Sequence, residues 1–351
     1  KGEGAWTSFR GNPAQTGVAG SGLPEKLELL WTYEASEPVE STAAIAGQTA
    51  FFGTDGGRLL ALSLKDGQPK WEYATNGPIK AAPAVKDGRM FIGDGSGVFH
   101  AVSADDGRKL WTFKTGQEII SSANFSGTHV LVGSYDYFLY CLDVASGELK
   151  WKFETDAQVH CSPCIADGDA VIGGCDGWLR MVSLADGTQR AGVKLDAIMS
   201  APPASEGGML YIATLDGRMV AVNAEAAEVR WEIKAPEQSV QFYASPAASG
   251  ERVVFAGRDG VVRCLRAEDG GELWKFRARG QVDSSPVIVG GRVFFGSDDG
   301  TLYEVSLEDG RRLWSFEAGA AVKASAAVGA GRLVIGTRDG AVYCFGAPDR
   351  P

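Results

Sequence analysis

The stretch VHCSPCIAD, residues 159–167, places His160 directly before a Cys-x-x-Cys pair, Cys161 and Cys164. That spacing serves thiol–disulfide exchange when a helix N-terminus lowers a thiol pKa, or a metal site when imidazole and thiolate converge. Here the pattern around it is strand-like. Three residues of strand span about 10 Å, whereas a disulfide needs Cα atoms within about 7 Å. Hairpin register instead sets Cys175 opposite His160, with Met199 in the equivalent position one repeat later. Imidazole, thiolate and thioether together would suit copper or another soft metal. The alternative is a neutral histidine among packed thiols. A second constellation is Asp283 and Asp298, which the same register sets face to face. At about 5 Å two carboxylates repel by about 3 kcal/mol at an effective dielectric near 20, so they are tolerable if solvated, if one is protonated or if a cation is near. Lys323 and Arg338 in the next repeat could supply it, and so could calcium. GDGSG (93–97) imitates a phosphate loop, but no helix follows it, and it reads as a hairpin turn. No HExxH, EF-hand loop or nucleophile elbow occurs.

Composition narrows the partners. The 351 residues carry a formal charge of −10 and no Lys/Arg cluster, which argues against nucleic acid. No apolar run is long enough to span a membrane. No signal-peptide pattern is present, and a start at Lys1 reads as a processed or trimmed chain, with secretion open. The six cysteines, at 141, 161, 164, 175, 264 and 344, are expected to be free and mostly buried.

The elements that must hold these residues follow from a repeat. Trp31, Trp71, Trp111, Trp151, Trp231, Trp274 and Trp314 recur at steps of 40, 40, 40, 80, 43 and 40, the missing beat falling at Ala191. Asp-Gly turns (Asp55-Gly56, Asp176-Gly177, Asp299-Gly300) and a Ser-Pro-like step (Pro83, Pro163, Pro286) run in phase, and all three markers count eight. Each unit holds short runs of period two, such as RVFFG, TLYEVSL and RLWSFEA, joined by tight turns. Four short strands per 40 residues make a propeller blade. The chain opens on an outermost strand, LLWTYEA (29–35), and ends on a third strand, AVYCFGA (341–347). The first strand should therefore complete the last blade. The reading is an all-β, eight-bladed propeller of four-stranded antiparallel blades over 29–347, with an extended lead-in over 1–28 and a tail over 348–351.

The segments AVSADDGRKLWTF, CLDVASGELKWKF and EVSLEDGRRLWSF resemble the tryptophan-docking repeat of pyrroloquinoline quinone (PQQ)-like propellers, and WTSFRGNPAQTG is similar to the lead-in of many such proteins. The resemblance spans nearly the whole chain. One branch of that family, the quinoprotein dehydrogenases, implies PQQ, calcium, a catalytic Asp and two adjacent cysteines. This chain has no Cys-Cys dipeptide and no long insertions. The other branch, typified by the propeller lipoprotein of outer-membrane barrel assembly, implies a non-catalytic, extracytoplasmic platform for a protein or extended peptide segment. That is the reading favoured here, as a monomer of the periplasm or cell envelope without a cofactor; PQQ with calcium, or a soft metal at His160, Cys175 and Met199, is the alternative.

Comparing blades locates the mouth. One ring of positions reads Glu40, Lys80, Ile120, His160, Met199, Tyr243, Asp283 and Lys323; the residue before each (Val39, Ile79, Ile119, Val159, Ile198, Phe242, Val282, Val322) is apolar. Strand alternation puts the two rings on opposite faces. The polar ring should border the central opening, joined by Tyr135, Cys175, Arg258, Asp298 and Arg338 from the neighbouring turns.

Overall fold

The computed structural model describes residues 4–235 and 240–348. Its strands form eight four-stranded antiparallel sheets, with no helix among the described residues. The third blade shows how sequence makes a blade: Asn124–Ser126 innermost, then His129–Gly133, Phe138–Asp143 and Leu149–Glu154. HVLVG and the centre of FLYCLD are almost wholly buried, because both faces of these strands press on neighbouring blades. The outermost LKWKFE alternates exposed and half-buried residues, the period-two signature of one-sided burial. Closure is as read: Glu28–Glu34 pairs with Ala341–Gly346, with Trp31 opposite Cys344. The last blade thus takes its outer strand from the other end of the chain.

The tryptophans join each blade to the next. In the third blade Cys141 pairs with Trp151 and Leu142 with Leu149, leaving Lys150 as a bulge. Such a bulge turns the strand and re-aims the side chain beside it. Trp151 then donates from Nε1 to the Leu184 carbonyl at 3.2 Å, and its ring lies on Gly187. A Cβ at Gly187 would sit 2.7 Å from that ring, and its φ of +74° is one glycine adopts freely. Trp31, Trp71, Trp111, Trp231 and Trp274 repeat the bond, to Leu64, Ala104, Val144, Ala267 and Leu307. Trp314 stacks instead on Phe316 and meets the edge of Phe345.

Between the fourth and fifth blades both halves of this device change. Ala191 stands for the tryptophan, and Ala227, at a φ of 52°, stands for the glycine. The bulged Arg190 takes over: Nη2 donates to the Ala224 carbonyl at 3.1 Å and Nε bonds Asp169. Ala191→Trp combined with Ala227→Gly should raise stability by about 1–2 kcal/mol, through added apolar burial and relief of a left-handed alanine. The urea midpoint measures it.

The lead-in occupies the ring of innermost strands. Each such strand pairs along one edge only, so the amide of its middle residue needs another partner. The lead-in supplies carbonyls: Trp6 to Ile45 at 2.7 Å, Pro13 to Ile165 at 2.8 Å, Ala14 to Ser205 at 2.8 Å, Thr16 to Ala248 at 2.9 Å and Gly17 to Ile288 at 2.8 Å. Thr7 does the same for Val85. In the third blade Phe125 bonds the side chain of Asn124, whose Nδ2 in turn reaches the Pro13 carbonyl. One segment thereby touches blades all round the ring.

Candidate functional site

Each segment passing from an outer strand to the next inner strand crosses the mouth, clasped by two turns. Tyr135 donates its amide to Glu118, on the segment entering its blade, and Val159, on the segment leaving, donates to Ser134. A mouth residue therefore meets the turn of the blade behind it as well as that of its own. Just below, hydroxyls link blade to blade: Ser122 N to Ser162 Oγ at 2.8 Å, Ser245 N to Ser285 Oγ at 2.9 Å and Ser285 N to Ser325 Oγ at 2.9 Å. This explains the hydroxyl residues of the repeat. They line a cavity of about 360 Å³ together with Glu40, Lys80, Ile120, His160, Ser200, Tyr243, Arg258, Asp283 and Lys323. Phe9 of the lead-in also lines it.

One arc of the mouth is charged and continuous. Arg258 donates from Nε and Nη2 to the two Asp283 oxygens at 2.8 Å each, and its guanidinium stacks 3.7 Å over the Tyr243 ring. Lys323 lies 3.4 Å from Asp283 Oδ2 and 3.8 Å from Asp298 Oδ2. Arg338 pairs with Glu40 at 3.2 Å. Burial raises the Asp298 carboxyl above its ordinary range; Asp283 adds to this while Lys323 opposes it. Asp55 is raised by burial too, with Lys80 and Arg338 pulling it back. Asp298 Oδ1 and Asp55 Oδ1 are buried without hydrogen-bond partners.

The opposite arc is neutral. The Tyr135 hydroxyl and His160 Nδ1 are hydrogen-bonded at 2.6 Å. Burial lifts the tyrosine hydroxyl to about 12 and lowers the imidazole pKa, so a neutral histidine faces an intact phenol. A histidine held neutral contributes stability above its unfolded pKa of about 6.5, and that contribution fades as pH falls below it. His160→Asn should therefore flatten the loss of thermal stability between pH 7 and pH 5.

Three expectations from the sequence need correction. Met199 is 0% exposed and packs on Gly173, while Ser200 lines the mouth. The blade carries Pro202-Pro203; Pro203, not Pro202, matches Pro163, since Ala204 opens the innermost strand as Cys164 does. Ile198, expected in the apolar ring, is 44% exposed for the same reason. Second, register within a hairpin, which sets Asp283 with Asp298, His160 with Cys175 and Lys323 with Arg338, is incomplete: Asp283, His160 and Glu40 also contact Arg258, Tyr135 and Arg338 in the turn of the preceding blade, and Asp283 contacts Lys323 of the next. Third, the soft-metal set does not assemble: His160 turns to Tyr135, Met199 lies in the core, and no group of three or more His, Cys, Asp or Glu among the described residues could hold a metal ion. Cys175 remains a partly exposed thiol whose pKa is raised by burial. Cys161 and Cys164 are free and buried. Cys161 bonds the Ala201 carbonyl as Ser121 bonds that of Cys161, so it acts as a hydroxyl substitute in the repeat. GDGSG is a turn whose Asp94 accepts from the amides of Ser96 and Val98.

Calcium does not fit this donor set either. Asp283, its best-placed carboxylate, is already held by a guanidinium and approached by an ammonium, which would repel a divalent cation.

Sequence reasoning missed Phe9, Ser200 and Asp55 at the mouth. Phe9 lies outside the repeat, so no blade-by-blade comparison could place it. A larger cleft of about 520 Å³, lined by Met209, Tyr211, Arg252 and Leu273 among others, lies elsewhere.

A closed ring of eight blades, threaded by its own N-terminal segment and opening on a mixed-charge mouth, defines a PQQ-like repeat propeller. A family model described as outer membrane protein assembly factor BamB matches residues 23–126, 118–189, 175–263 and 238–349, and the chain belongs to that family. No curated protein matches it in sequence. Among solved structures, BamB from Moraxella catarrhalis is similar at 19% identity and a TM-score of 0.77, covering 93% of this chain and 99% of that one. A europium-containing methanol dehydrogenase gives 13% and 0.80, covering 99% of each chain. The computationally designed Ika8 protein gives 17% and 0.80, covering 92% and 100%. At these identities the likeness speaks for the fold alone.

Proposed function

We propose that this chain is a BamB-like binding platform, a non-catalytic propeller of the cell envelope that engages a protein segment across its mouth. The observation that carries this reading is the division of the mouth into a charged arc (Arg258, Asp283, Lys323, Asp298, Arg338, Glu40) and a neutral one (Ile120, His160, Tyr135, Ser200). An extended segment laid across it meets paired charges on one side and uncharged polar groups on the other. Such rims steer association and fix register more than they add raw affinity. Membership of the BamB family supports a protein partner and an extracytoplasmic setting. The platform works as a monomer and without PQQ, calcium or copper. Photo-cross-linking from the mouth tests the reading: a protein adduct formed there supports it, and adducts formed only elsewhere on the chain refute it.

A further inference from the structure

Arg10, in the lead-in, is 0% exposed, yet no carboxylate among the described residues pairs with it. Its Nη2 donates to the carbonyls of Pro246 at 3.1 Å and Pro286 at 2.5 Å, which offer partial charge only. Nε and Nη1, carrying three N–H groups, have no partner, and neither does Nε1 of the buried Trp6 on the same loop. The loop is tightly closed around these groups. Gly17 donates to the Arg10 carbonyl at 3.2 Å, and a Cβ at Gly17 would stand 1.9 Å from Nη2; one at Gly11 would stand 2.6 Å from the Trp6 ring. The unpaired Nε and Nη1 donors of Arg10 thus carry a full positive charge in the interior.

A buried charge is kept when it is paired; buried polar atoms lacking partners mark an absent water or ion. Water could accept from the free N–H groups but would leave the charge uncompensated. A small anion answers both needs. Burial lowers the Arg10 pKa to about 9, in keeping with a cation short of a counter-charge.

We propose that the lead-in holds a small monovalent anion of the halide class on Nε and Nη1 of Arg10. The site is separate from the charged arc above it and does not rest on the protein-binding reading.

Crystals of the full chain grown with bromide as the sole halide test this. The expected result is an anomalous difference peak within hydrogen-bonding distance of Arg10 Nη1 or Nε. Halide peaks at the surface only, or density at Arg10 without anomalous signal, overturn the proposal in favour of an adventitious ion or a water. In solution, the melting temperature should rise with bromide concentration at constant ionic strength, gluconate being the replaced anion. Arg10→Met should abolish that dependence. An identical response in wild type and variant counts against the site; if the variant fails to fold, the anomalous peak in the wild type still decides.

Discussion

Replacing Trp274 by alanine is expected to destabilise the propeller by about 3–5 kcal/mol, the range for removing a buried aromatic side chain. The indole is 7% exposed, lies on Gly310 and donates to the Leu307 carbonyl at 2.9 Å. Truncation opens a gap between the sixth and seventh blades, where a glycine offers no side chain to collapse into it. It also removes the hydrogen bond to Leu307. Trp274→Phe separates the two contributions: it keeps most of the packing and gives up the bond, for a smaller loss nearer 1–2 kcal/mol. Urea unfolding followed by fluorescence and circular dichroism reads both, and coincident transitions show that the ring unfolds as one unit. A Trp274→Ala loss below about 1 kcal/mol would mean that the indole does not hold the seam.

Gly17→Ala should cost about 2–4 kcal/mol, although it adds one methyl group. Gly17 has a φ of +68°, where a residue with a Cβ is strained by about 1–3 kcal/mol. That Cβ would also fall 1.9 Å from Arg10 Nη2 and 3.1 Å from the Ala247 Cβ. Relief requires moving a fully buried guanidinium or withdrawing the lead-in from the sixth and seventh blades, where Thr16 and Gly17 accept from Ala248 and Ile288. Gly20→Ala is the control: nothing lies within 4 Å of a Cβ there, and its change should stay within about 0.5 kcal/mol. Equal effects at the two glycines would show that the lead-in does not bear on the stability of the ring.

The fold was legible in the sequence because a blade cannot bury its faces alone, so the same pattern must return every 40 residues. Tryptophan, Asp-Gly and Ser-Pro record that return independently. Most of the mouth followed from the same comparison, since Glu40, Lys80, His160, Tyr243, Asp283 and Lys323 share one position in successive blades and line one cavity. It failed at Met199, where two consecutive prolines offered two alignments and burial chose between them. It set Lys323 beside Asp283 and Asp298, as found, but missed the pairs Arg258–Asp283 and Arg338–Glu40. Hairpin arithmetic pairs residues within one blade, whereas Arg258 reaches Asp283 of the next because each crossing segment is clasped by two turns. The lead-in was read as an extended segment of unknown course. Gly17 was the available signal that a backbone packs closely against Arg10, and Gly11 that one packs against Trp6.

The central claim, that the mouth receives a protein segment, is tested most directly by site-specific photo-cross-linking in the native host. The probe residue is placed at Lys80 or Arg338 on the mouth, and at Leu149 or Val229 on the outermost strands, all four being exposed. The account predicts a discrete protein adduct from both mouth positions and none from the outer strands. It also predicts loss of that adduct when Asp283→Lys and Lys323→Glu exchange the charges of the arc. Adducts from Leu149 and Val229 with none from the mouth would contradict it, as would a mouth adduct indifferent to the exchange.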